Sequence, residues 1–135
     1  MWRILLLTCL FALSLSAQSD PRPQNTVAVI SGDLGSCSAD FTVTDTKMKP
    51  IYRAKVAVEL RYGFGGFHRM NLEVFTNVDG KARVEGLPAR SKNPLAFTAS
   101  YEGRKTVVMV SPDEKCNGSY QAILTNNPVK TDADE

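Results

Sequence analysis

The chain has 135 residues, a formal net charge of +2 and a hydrophobic share of 43%. That length makes one domain, which buries on the order of two-thirds of its unfolded surface. A balance so close to neutral gives no electrostatic reason to expect nucleic acid or an anionic membrane surface as a partner.

The first stretch is Met1-Trp2-Arg3, then an apolar run from Ile4 to Leu15, then Ser16-Ala17. One basic residue, a short apolar core and small residues make a secretory signal peptide over residues 1–17. The run is too short for a spanning helix, which needs roughly 20 apolar residues, so no membrane span is expected after cleavage. The chain is expected to be secreted or periplasmic. Cys9 leaves with the signal, and Cys37 and Cys116 remain. In an exported chain an even pair points to a disulfide, two free buried thiols being the alternative. Two cysteines and a single histidine cannot build the usual four-ligand zinc site. No metal is expected, and no cofactor is indicated.

Residues 18–36 form a Pro-bearing leader in which Val27 to Ile30 reads as a short edge strand or a lead-in. From Ala39 onward, apolar and polar residues alternate with the period of two that marks half-buried strands. The strands are carried by Phe41 and Val43, by Ala54 to Tyr62, by Leu72 and Val74, and by Ala82 and Val84. Three more follow at Leu95 to Tyr101, Lys105 to Val110 and Tyr120 to Thr125. The run Val107 to Val110 is apolar throughout and reads as a central strand. Asp79-Gly80 is a turn dipeptide, with Asp79 capping its own turn. Gly86 and Pro88 read as stops for the strand after it. Residues 126–135 form an acidic tail of disordered composition. The pattern predicts a seven-stranded antiparallel β-sandwich over residues 37–125.

The order of these pieces resembles the carboxypeptidase regulatory-like domain, a transthyretin-like sandwich of the Greek-key kind. The likeness is carried by Phe41-Thr42-Val43-Thr44-Asp45, by Lys49-Pro50-Ile51-Tyr52 leading into Ala54-Lys55-Val56, by Thr76 to Pro88, and by Leu95 to Gly103. Arg53 departs from it, standing where such domains usually have glycine. The resemblance implies that the first and last core strands lie side by side and parallel. That would make Cys37 and Cys116 neighbours, within the Cα separation of about 5–6 Å that a disulfide needs. It also implies a non-catalytic appendage.

Chemistry is sparse. His68, the only histidine, sits in the Gly-rich segment Gly63-Phe64-Gly65-Gly66-Phe67, where a loop would orient it poorly for Ser-His-Asp work. Relatives of transthyretin that hydrolyse hydroxyisourate use several histidines and a C-terminal Tyr-Arg-Gly-Ser, and this chain ends in Thr-Asp-Ala-Asp-Glu. Tyr62, Phe64, Phe67 and His68 form the candidate binding cluster. Such aromatics can stack on sugars or fill a partner's pocket, or fold back over the core. The expected function is a non-catalytic exported module that binds a protein or cell-envelope component. The alternative is a carbohydrate-binding module recognising glycan through the Tyr62–His68 loop.

Overall fold

The computed structural model describes residues 25–91 and 93–126. They form the strands β1 (Ala28–Ser31), β2 (Cys37–Asp45), β3 (Lys55–Tyr62), β4 (His68–Phe75), β5 (Lys81–Leu87), β6 (Leu95–Tyr101), β7 (Arg104–Val110) and β8 (Asn117–Leu124). A single 3₁₀ turn, Phe64–Gly66, joins β3 to β4. The strands make two four-stranded sheets, ordered β1-β5-β2-β8 and β4-β3-β6-β7. The signal peptide expected at 1–17, the leader as far as 24 and the tail from 127 lie outside the described residues.

The expected count of seven antiparallel strands is corrected to eight in a mixed arrangement. The additional strand is β1, which pairs parallel to β5, and β2 pairs parallel to β8. Only Ile30 of β1 is half-buried, so its sequence carries no alternating signal. The other seven strands fall where the period of two puts them.

Their inward residues make one core between the sheets. Phe41 and Val43 of β2, Val56, Val58 and Leu60 of β3, Leu72 and Val74 of β4, and Ala82 and Val84 of β5 are all buried. Phe97 and Ala99 of β6, with Ala122 and Leu124 of β8, close it. The Phe41 and Phe97 rings meet across the sandwich with centroids 4.7 Å apart, within the range of favourable aromatic pairs. The strand expected to be central is not. β7 lies at the edge of its sheet, with Val107 and Met109 in solvent.

The segment from Thr76 to Pro88 ties both sheets together. The Thr76 hydroxyl, buried, donates to the Ile51 carbonyl at 2.6 Å and accepts from the Ala54 N–H at 2.9 Å. Asn77, also buried, accepts from the N–H groups of Asp79 and Lys81 through its side-chain oxygen. The turn is therefore capped by Asn77, and the expected cap by Asp79 is corrected. Gly80 takes a φ of 71°, and a side chain there would run into the Val43 carbonyl. Gly86 does not end β5. Leu87 pairs with Cys37 while Val84 pairs with Ala39, so β5 carries one extra residue at a β-bulge, with Gly86 at a φ of 63°.

Asp45 caps the turn after β2, accepting from the N–H groups of Lys47 and Lys49 at 2.8 and 2.9 Å. The Lys49 hydrogen bond above all holds its carboxyl below the usual 3.8; desolvation opposes it, and the Lys47 hydrogen bond and the two lysine charges add to the lowering. A carboxyl depressed in the folded state stabilises above its unfolded pKa and loses that contribution as pH falls through the folded value. Asp45→Asn keeps an oxygen acceptor and cannot titrate. Urea midpoints of the variant are expected to fall less steeply than those of the wild type from about pH 4 downward. Parallel curves would show that the carboxylate is not held by this turn.

Strand direction sorts the connections to two ends. Residues 25–27, 45–54, 76–80, 102–103 and 124–126 share one end, and residues 62–68, 86–95 and 110–117 share the other. Asn77 donates from its side-chain nitrogen to the Asn25 carbonyl, and Arg104 reaches the Asn126 side chain at 3.4 Å. Both ends of the described chain thus leave from one end of the sandwich.

Candidate functional site

Cys37 opens β2 and Cys116 directly precedes β8. Parallel pairing of Ser38 with Asn117 brings the two side by side, 4.6 Å between Cα atoms, as a disulfide. Cys37 is 1% exposed and belongs to the core cluster. The expected pairing is present and lies at the same end as the aromatic hairpin.

That hairpin is longer than a loop. β3 and β4 pair without interruption from Lys55–Phe75 to Tyr62–His68. His68 is accordingly the first residue of a strand, and its ring stacks on Tyr62 at 5.2 Å between centroids and 25° between planes. The expected flexible-loop placement of His68 is corrected: Tyr62 orients it from across the ladder. Beyond this pair, Gly63, Gly65 and Gly66 all take φ between 68° and 80°, which L side chains avoid. With no side chain at Gly65, the Phe67 ring lies across the tip. Phe64 is 96% exposed and Phe67 83% exposed. Neither folds back to cover the core.

A groove runs beneath the tip, and its origin is a short pairing. β3 pairs with β6 only from Lys55 to Ala57. Past Ala57 the β3–β4 hairpin parts from β6 and leaves an open cavity of about 790 Å³, within the usual size range of ligand sites. Arg61 and the tip glycines form one wall, and Pro88, Arg90 and Pro94 form the other. Across the ladder Arg61 stands opposite Arg69. Glu59 lies 3.6 Å from the Arg61 guanidinium and 3.8 Å from that of Arg69. With Arg90 on the facing loop, the groove is lined by two guanidiniums, Arg61 and Arg90, and one carboxylate, Glu59, next to exposed rings.

The sequence placed Tyr62, Phe64, Phe67 and His68 in one cluster, and the structure keeps them at one tip. The facing wall was missed. Arg90 lies 22 residues beyond His68 at the tip and reads as a solubilising loop charge. Only the parting of β3 from β6 brings it to the groove. Among the described residues, no three His, Cys, Asp or Glu side chains converge so as to hold a metal ion, and no helix is long and apolar enough to cross a membrane.

No family model matches the chain, and no curated protein sequence matches it. Among solved structures it is similar to catechol 1,2-dioxygenase from Pseudomonas arvilla C-1, at 11% identity over 77% of this chain and 60% of that one, with a TM-score of 0.51. It is also similar to wild-type catechol 1,2 dioxygenase of Acinetobacter radioresistens, at 12% identity over 82% of this chain and 63% of that one, with a TM-score of 0.50. The chain thus spans less than two-thirds of the length of these two enzymes. The likeness is one of fold.

It corrects the expected function. The non-catalytic module, in its partner-binding and its carbohydrate-binding form alike, drew on resemblance to a non-catalytic appendage. Proteins that share this sandwich include dioxygenases, so the fold gives no ground for calling the chain non-catalytic. A sandwich supplies a frame, and activity depends on the side chains placed upon it.

Proposed function

We propose that the groove at the hairpin tip binds an acidic ligand that carries an apolar ring, in an exported protein. The observation that carries this reading is the pairing of two almost fully exposed phenylalanines with a groove walled by Arg61 and Arg90. Large apolar rings held in solvent by a glycine-built turn favour a contact that covers them. Guanidiniums on both walls favour a carboxylate or phosphate there. The Cys37–Cys116 disulfide supports an oxidising compartment, which is where a secretory signal would send the chain.

The test is a titration with benzoate, followed by backbone amide shifts. Benzamide supplies the ring without the charge, acetate the charge without the ring, and catechol samples the substrate for which the two similar enzymes are named. Benzoate is expected to move amide signals on both walls, at residues 61–67 and at Ala89, Arg90, Ser91 and Leu95, and to bind more weakly as salt rises. Arg61→Ala/Arg90→Ala and Phe64→Ala/Phe67→Ala are each expected to weaken it about tenfold, the combined effect of two exposed contacts. Shifts confined to other surfaces, or binding by both variants as tight as that of the wild type, would sink the reading. Oxygen uptake in the catechol arm would show turnover as well as binding.

A further inference from the structure

The sheet β4-β3-β6-β7 ends on an open edge at β7. Glu102 and Gly103 join β6 to β7 with φ of 47° and 76°, the pattern of a two-residue type I′ hairpin turn. Such a turn makes Tyr101 and Arg104 a hydrogen-bonded pair. Antiparallel ladders alternate, so Arg104, Thr106, Val108 and Val110 turn their backbone groups toward β6. Lys105, Val107 and Met109 turn theirs to the free edge. β8 lies alongside in the opposite sheet, where it pairs with β2.

Edge strands are usually guarded by charge, proline, bulges or shortness. Among the other edges, β1 has four residues, β4 carries the exposed charges of Arg69 and Glu73, and β8 turns Asn117, Ser119 and Gln121 outward together with Ile123. β7 has none of these guards along its middle. It pairs with β6 over seven consecutive residues without a shift, and it contains no proline. Val107 is 58% exposed and Met109 55% exposed on its outer face. Charge is confined to its start, at Arg104 and Lys105, with Asp113 and Glu114 just beyond its end.

We infer that β7 pairs with β7 of a second copy of this chain, antiparallel about a two-fold axis at Val107. Val107 then faces its counterpart, and Lys105 faces Met109 in both directions. Each of these pairs exchanges two backbone hydrogen bonds. The stem of Lys105 covers the partner's Met109 while its ammonium stays in water. Antiparallel pairing also sets the basic start of one strand beside the acidic end of the other, whereas a parallel pair would set like charge on like. The two sheets become one continuous sheet that includes both hairpins.

Sedimentation of the mature protein over a wide concentration range tests this. The wild type is expected to double its mass as concentration rises. Val107→Pro removes an N–H that β6 does not use and is expected to stay at monomer mass with an unchanged melting temperature. Val107→Lys/Met109→Lys places charge on side chains already in solvent, is expected to do the same, and carries the test if the proline variant does not fold. Phe64→Ala/Phe67→Ala is expected to leave the dimer intact, which separates this edge from association through the aromatic tip. A wild type that stays monomeric, a dimer that survives the lysine changes, or one lost only in the tip variant overturns the inference.

Discussion

Replacing both members of the Cys37–Cys116 crosslink by alanine is expected to lower stability by about 4 kcal/mol. The bond closes a loop with a sequence separation of 79, and confining an unfolded chain of that length is a large restriction. It also joins β2 to β8 at the start of their parallel ladder, a pairing that no short turn enforces. Guanidinium titration with and without reductant measures the effect. The wild type should shift to a lower midpoint on reduction, and C37A/C116A should already lie there and not respond. Equal midpoints for oxidised wild type and double variant would show that the ladder holds without the crosslink.

Thr76→Val is expected to cost on the order of 3 kcal/mol, because it leaves the Ile51 carbonyl and the Ala54 N–H buried without a partner. Valine matches threonine in shape, so packing changes little and the loss reads the two hydrogen bonds. Thr76→Ser restores the hydroxyl and is expected to recover most of the difference. Thermal unfolding of the three proteins decides it. A valine variant as stable as the wild type would mean that water or a backbone shift satisfies both groups.

Much of the sandwich was legible because its sheets each hide one face. Alternation at Ala54, Val56, Val58 and Leu60 fixes which side of β3 is buried, and the same holds for the inward residues of β2, β4, β5, β6 and β8. Alternation is silent where a strand's environment is set by tertiary neighbours. Val107 to Val110 is apolar enough for the middle of a sheet, yet β7 is an edge strand, and Val107 and Met109 point from its outer face into water. At Val27 to Ile30 the sequence leaves an edge strand or a lead-in open, because pairing with β5 leaves most of β1 exposed and alternation cannot decide. Gly86 marks a bulge that re-aims β5 toward Cys37, and a glycine two residues before a proline looks the same in sequence as an end. At the tip, residue types announced the rings. The groove was hidden because it depends on how far β3 stays paired with β6, a matter of twist and register between strands distant in sequence.

Asn25 and Asn126 leave the sandwich together, at the end opposite the β3–β4 tip. A tether attached at either place would therefore hold Phe64 and Phe67 on the distal side, roughly 25 Å away, the length of an eight-residue strand. The rings reach outward whichever end is anchored, and neither attachment crosses the groove. A probe placed at Asn25 or at Asn126 sits at the end away from the exposed rings.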